Sequence, residues 1–139
     1  MATYVKFQQF VGDLGTKVHN LNTDTIKVML TNTAPNAATN TVKADLTEIS
    51  AGNGYTAGGF DIQNTYSQTS GTGSLAAVDV TITASGGSIG PFRYAVWYND
   101  TPTSPADPLI GYADYGSSIT LADGEDLLVD FPATLATFA

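Results

Sequence analysis

The chain has 139 residues, thirteen acids against five bases, a formal net charge of −8, one histidine and no cysteine. That length predicts one domain, 1–139, and a chain of this size buries about two-thirds of its unfolded surface, enough for a core without staples. The missing cysteines exclude disulfide frameworks, thiolate metal sites, iron–sulfur clusters and cysteine nucleophiles, and a lone His19 excludes two-histidine metal motifs.

Charge is unevenly spread. Residues 1–43 carry Lys6, Lys17, Lys27 and Lys43 against Asp13 and Asp24, whereas Arg93 is the sole base facing eleven acids from residue 44 onward. The acidic balance speaks against nucleic acid as a partner. Its polarity suits orientation on a protein partner or on a second copy. The opening MATYVKFQQF has no apolar run of signal-peptide type, and no segment has the length of a membrane span. Synthesis in a cytoplasm, without a membrane partner, is the expectation.

In chain order, residues 3–19 read as one amphipathic helix. Tyr4, Phe7, Val11, Leu14 and Val18 recur at spacings of three or four, with Phe10 beside Val11. Gly12 and Gly15 each weaken that helix by about 1 kcal/mol relative to alanine, so tertiary packing must hold it. His19 falls at the expected helix end, where a cation meets the negative end of the helix dipole.

A β-region is expected over 25–131. Ile26, Val28 and Leu30 alternate with Lys27, Met29 and Thr31 as a half-buried strand should. Residues 43–50 suggest a single helical turn, 51–59 a glycine-rich loop, and 60–69 a polar stretch of mixed strand character. Leu75, Val78, Val80 and Ile82 read as one strand. The clearest strand puts Phe92, Tyr94, Val96 and Tyr98 on one face and Arg93, Ala95 and Trp97 on the other. A proline-punctuated loop follows at 99–108. Leu109–Tyr115, Ile119–Leu121 and Leu127–Phe131 complete the strands, with Asp123-Gly124 as a hairpin signal between the last two. Residues 132–139 read as a polar C-terminal tail. Twenty threonines suit pleated, half-exposed surfaces. The sum predicts a mainly β protein: a jelly-roll-like antiparallel β-sandwich with one short N-terminal helix.

Candidate chemistry is sparse. Gly52-x-Gly54-x-x-Ala57 and Gly71-x-Gly73-x-x-Ala76 match the dinucleotide fingerprint loosely, but neither precedes a helix whose amides could hold a pyrophosphate. Asp123, Glu125, Asp126 and Asp130 lack the spacing of a calcium loop, and no G-x-S-x-G accompanies His19. No catalytic residue, cofactor or metal is therefore assigned. The candidate partner interface combines Tyr4, Lys6 and Phe7 of the N-terminal segment with Arg93 and Trp97, types enriched in interface hot spots, and Tyr112 beside them.

Four segments carry a resemblance: KFQQFVGDLGTKVHNLNTDTIKVMLTN, KADLTEISAGNGYTAGG, SGGSIGPFRYAVWYND and LIGYADYGSSITLADGEDLLVDF. Together they are similar to small virion structural proteins of tailed bacteriophages, most of all to capsid decoration, or cement, proteins. The resemblance implies a jelly-roll-like fold without enzymatic activity. It also implies assembly on the outer head surface as dimers or trimers that bridge subunits of the major capsid protein. A phage tail or baseplate structural protein and a carbohydrate-binding β-sandwich module are the alternative readings.

Overall fold

The computed structural model describes residues 3–138; Met1, Ala2 and Ala139, which the expected boundaries include, lie outside the described residues. The strands are β1 (Thr3–Lys6), β2 (Ile26–Thr31), β3 (Phe60–Asp61), β4 (Thr65–Thr69) and β5 (Thr72–Ala76), then β6 (Val80–Thr83), β7 (Ile89–Asn99), β8 (Leu109–Leu121), β9 (Asp126–Val129) and β10 (Ala136–Phe138). One helix, α1 (Gln8–Gly15), follows β1, and a single 3-10 turn spans Lys43–Asp45. The strands form sheets of order β1-β8-β7-β2-β3, β10-β5-β4 and β6-β9, with every pairing antiparallel. The protein is mainly β, as the sequence predicts.

Strand β7 lies at the centre of the five-stranded sheet, and every residue from Tyr94 to Asn99 is buried. One face, with Ala95 and Trp97, joins Val28, Leu30, Ile110 and Ala113 in the main core. Leu75 of β5, Ile82 of β6, Val129 of β9 and Phe10 of α1 cover it. The other face, with Tyr94, Val96 and Tyr98, forms a smaller core with Phe7, Met29, Leu46 and Leu109. Phe92 does not stay with Tyr94 as simple alternation predicts. The β7–β8 register shifts between them, where β8 carries extra residues around Gly116, and Phe92 turns into the main core.

Several sequence expectations need correction. Residues 3–19 are not one helix, because Phe7 and Phe10 enter cores on opposite faces of the sheet. A continuous helical stripe cannot reach both. The chain instead pairs β1 with β8, keeps Phe7 extended, and begins α1 at Gln8. Val11, expected on the apolar stripe, is 56% exposed, while Asp13 is buried and accepts Gln9 Nε2 at 3.0 Å.

Residues 75–83 divide into β5 and β6, which belong to different sheets. Residues 109–121 are one strand, β8, bulged rather than broken at Gly116. The turn at Asp123-Gly124 joins β8 to β9, but these strands do not pair. Gly124 N–H donates to Ala84 O at 2.7 Å, and Gly86 N–H donates to Asp123 Oδ1 at 3.0 Å, which docks the turn on the end of β6. The C-terminal tail is also a strand in part: β10 pairs with β5 and lays Phe138 against Phe10 and Tyr66.

Gly111 shows how tightly the central ladder is fitted. It sits opposite Trp97, and a Cβ placed there would lie 2.9 Å from the indole Nε1. Gly111→Ala is therefore expected to cost about 1–3 kcal/mol through overpacking. Urea unfolding checks this, with Trp97, the only tryptophan, as the fluorescent reporter.

Candidate functional site

Antiparallel register decides which expected interface residues meet. Tyr4 faces Ala113, Lys6 faces Gly111, and Gly111 faces Trp97 across the next pair, so these side chains share one sheet face. There they line an apolar groove of about 210 Å3 beneath β1, closed by Phe10, Leu75 and Leu135. The Tyr4 ring packs 5.7 Å from the Trp97 indole, and its hydroxyl donates to the backbone carbonyl of Asp130. Burial, followed by the charges of Asp130 and Asp79, raises the Tyr4 phenol above its ordinary pKa, so it keeps its proton at neutral pH. Tyr4 remains 37% exposed and Lys6 is exposed, whereas Trp97 is 4% exposed. Alternation alone leaves Trp97 either outward on the surface or buried with both faces of the strand covered, and the structure shows the second. Trp97 forms the floor of the groove, wedged between Tyr4 and Phe131.

Phe7, Arg93 and Tyr112 lie elsewhere. Phe7 is fully buried in the smaller core, with its ring 5.3 Å from Tyr112, and offers no surface. Tyr112 is half-buried, edge-on to Tyr94 at 6.1 Å. Arg93 grips Asp114 through two bonds, Nε–Oδ1 at 2.9 Å and Nη2–Oδ2 at 3.2 Å, and its guanidinium lies 5.3 Å from the Tyr94 ring. That bidentate hold pulls the Asp114 carboxyl below the ordinary carboxylate range, helped by the Gly116 N–H. The six expected residues thus divide into a groove (Tyr4, Lys6, Trp97) and an aromatic–guanidinium patch (Arg93, Tyr112), with Phe7 in the core.

Cations are otherwise mostly engaged. Lys27 pairs with Asp100 at 3.0 Å and Lys43 with Glu48 at 3.0 Å. Among the described residues Lys6 and Lys17 have no ion pair. Asp79, Asp123, Glu125, Asp126 and Asp130, which flank β6 and β9, are all exposed. No three His, Asp or Glu side chains converge as a metal site among the described residues. None of their helices is long and apolar enough to cross a membrane.

The glycine fingerprints serve packing. A Cβ on Gly54 would meet the Thr83 carbonyl at 2.2 Å, and one on Gly73 would strike the Tyr66 hydroxyl at 1.9 Å. His19 does not cap α1. The helix ends at Gly15 with Thr16 as its cap, and His19 is buried beyond it, its basicity lowered by desolvation.

A polar cluster missed by sequence reasoning surrounds Glu48. Tyr55 OH donates to Glu48 Oε2 at 2.6 Å, Gly58 N–H donates to the same oxygen at 2.8 Å, and Lys43 holds Oε1. Burial and the Glu48 bond push the Tyr55 phenol far above its ordinary value. Tyr98 OH donates to Gly58 O at 2.5 Å beside it. The group is a structural junction: it seals β2 where the short β3 no longer pairs with it.

Comparison with family models, with curated proteins and with solved structures finds no significant match.

Tyr55 OH also accepts the buried Leu30 N–H at 3.0 Å. Tyr55→Phe orphans that donor, at an expected cost of about 1–3 kcal/mol. A lower urea midpoint with an unchanged slope is the result that measurement should give.

Proposed function

We propose that this chain is a non-enzymatic structural protein of a virion, a cement or decoration protein that binds the outer capsid surface and stabilises the lattice of major capsid subunits. The observation that carries this reading is the outer edge of β1. It is the terminal strand of the five-stranded sheet, so one side of its backbone faces no partner strand among the described residues. An apolar groove lies beneath it, flanked by exposed Tyr4 and by Lys6, a cation with no ion pair among the described residues. Such an edge can accept an extended segment by main-chain hydrogen bonds, while side chains at every second position enter the groove. The resemblance of the sequence to cement proteins supplies the kind of partner, a shell subunit. It also supports reading the layered sheets as jelly-roll-like and the working form as a dimer or trimer.

Binding of this kind stabilises by mass action, because whatever binds only the closed lattice favours that lattice. Many modest contacts repeated by symmetry suffice, since linked contacts multiply. The aromatic surface favours a protein partner over a sugar: among the described residues Tyr4 is the one aromatic more than a third exposed, and no flat aromatic row forms.

The decisive experiment counts copies of this chain in purified particles relative to the major capsid protein. A ratio near one or a simple fraction of it is expected, whereas a handful of copies points to the tail and complete absence overturns the proposal. Removing residues 1–19 is not an informative variant, because it takes away β1, Phe7 and Phe10 and with them part of both cores. Lys6→Glu leaves the cores untouched. It should change the rate of association with heads and its salt dependence, as reversing a charge at the rim of an interface does.

A further inference from the structure

His19 is the only histidine in the chain, and its Nε2 is the one buried side-chain polar atom among the described residues without a hydrogen-bond partner. The imidazole is 7% exposed and packs 5.1 Å from the Phe10 ring. Its Nδ1 lies 3.0 Å from Asn99 Nδ2. Two other bonds fix which way the Asn99 amide points: Oδ1 accepts Thr101 N–H at 3.1 Å, and Nδ2 donates to Asp24 Oδ2 at 2.7 Å. Asn99 therefore donates to His19, Nδ1 accepts, and the ring proton resides on Nε2.

The same bonds hold the connection 16–25 in place. Asp24 accepts Asn20 N–H at 2.8 Å, and Asn64 Nδ2 donates to the carbonyls of Leu21 and Asp24 at 2.8 and 3.1 Å. Asn99–Asp24, Asp100 N–H to Thr25 O at 2.8 Å and Thr25 N–H to Thr101 Oγ1 at 2.9 Å tie the segment to the end of β7 whatever the imidazole carries, and the His19–Asn99 contact is the tie that only a neutral imidazole can make. Beside it lies a cleft of about 500 Å3 whose walls include Leu14, Lys17, Tyr66 and Phe138.

The charges around His19 oppose one another. Burial disfavours the imidazolium, Asp13 on α1 and Asp24 on the loop favour it, and burial is the larger effect. Lys17 and the Tyr66 phenol are the other titratable groups on the cleft.

We propose that His19 and Asn99 form a proton-operated latch. Protonation of Nδ1 sets one N–H against another, loosens segment 16–25 at its His19 end while Thr25 stays bonded to Asp100 and Thr101, and widens the cleft between α1, β4 and β10. The closed form takes up the proton less readily than the open form, whose imidazole titrates near the ordinary 6.5. Opening is therefore favoured as pH falls through that value, and the effect is complete once pH lies below the closed-state pKa. Above pH 6.5 the latch stays shut.

NMR of the single imidazole from pH 8 to pH 5, with amide hydrogen exchange of residues 16–25 followed in parallel, tests this. His19 should titrate below 6.5. Over the same interval exchange in 16–25, corrected for intrinsic pH dependence, should quicken by up to about tenfold per pH unit while β7 stays protected. His19→Phe keeps a ring against Phe10 and should abolish the pH dependence. Should that variant not fold, Asp24→Asn removes a charge that favours the imidazolium in the closed form, so the titration should move to lower pH and the acid-driven rise in exchange, still setting in near 6.5, should extend further down in pH. Titration at or above 6.5, loop exchange indifferent to the titration, or a pH response that survives in His19→Phe overturns the latch.

Discussion

Six consecutive buried residues in β7, Tyr94 to Asn99, require a cover on both faces of the central sheet. A sheet enclosed on both sides reads as a nearly continuous apolar run, and Tyr-Ala-Val-Trp-Tyr is such a run. Two small sheets and α1 cover the Trp97 face. The Tyr98 face is closed by Phe7 and by Leu46, which the long excursion between β2 and β3 delivers. The break between β1 and α1 follows from this demand. Phe7 and Phe10 must reach opposite sides within three residues, which a strand-to-helix junction allows and a helix alone does not.

Closing a sheet on both faces leaves its edges to be settled, and the two ends of the large sheet are treated differently. At the β3 end the two-residue strand leaves β2 partly unpaired, and Tyr55, Glu48 and Lys43 supply the missing partners from side chains. Their bonds are buried or half-buried, so the junction is specific and costly to disturb. At the β1 end no such seal forms among the described residues. The strand is short and carries a lysine, which is how proteins keep an open edge from pairing indiscriminately. An edge sealed on one side and left open with an apolar groove on the other is an asymmetry that packing alone does not require.

The sequence revealed what two-residue periodicity can reveal. Strand β2 and the 92–98 run were legible because alternation and β-branched or aromatic residues agree there, and the glycine-rich 51–59 segment was legible as a loop. The N-terminal misreading has a definite cause. Tyr4, Phe7, Val11 and Leu14 fall at helical spacing, yet Tyr4 belongs to a strand, Phe7 to the smaller core, and Val11 to solvent. A three-residue strand such as β10 has too few positions to show a period; only Leu135 and Phe138 hinted that the tail was anchored. The side of Trp97 stayed open because alternation reports two faces but not whether both are covered. Of the candidate surface, Tyr4 and Lys6 were legible as residues, but the groove that unites them with Trp97 depends on register with β8, which no local pattern encodes. The His19 cluster was invisible for the same reason, since His19 and Asn99 are 80 residues apart, whereas the Glu48 partners Lys43, Tyr55 and Gly58 are near in sequence but brought together by an irregular loop that shows no period.

Phe10 connects the two regions for which functions are proposed. Its ring forms part of the groove beneath β1 and also lies against His19. It further touches Phe138, whose strand borders both the groove and the His19 cleft. Energetic coupling between two sites needs a shared element with two arrangements, biased by each site. Helix α1 is suited to that part. It spans eight residues, contains Gly12 and Gly15, has no side-chain cap at its N-terminus, and owes its position to packing more than to intrinsic propensity. The His19–Asn99 contact lies on the segment that follows α1, and Phe10 of α1 is the wall that the β1 groove shares. The open edge and the buried histidine therefore share α1 and its Phe10 as a neighbour, so the proposed latch and the proposed docking edge can be coupled only through how α1 packs.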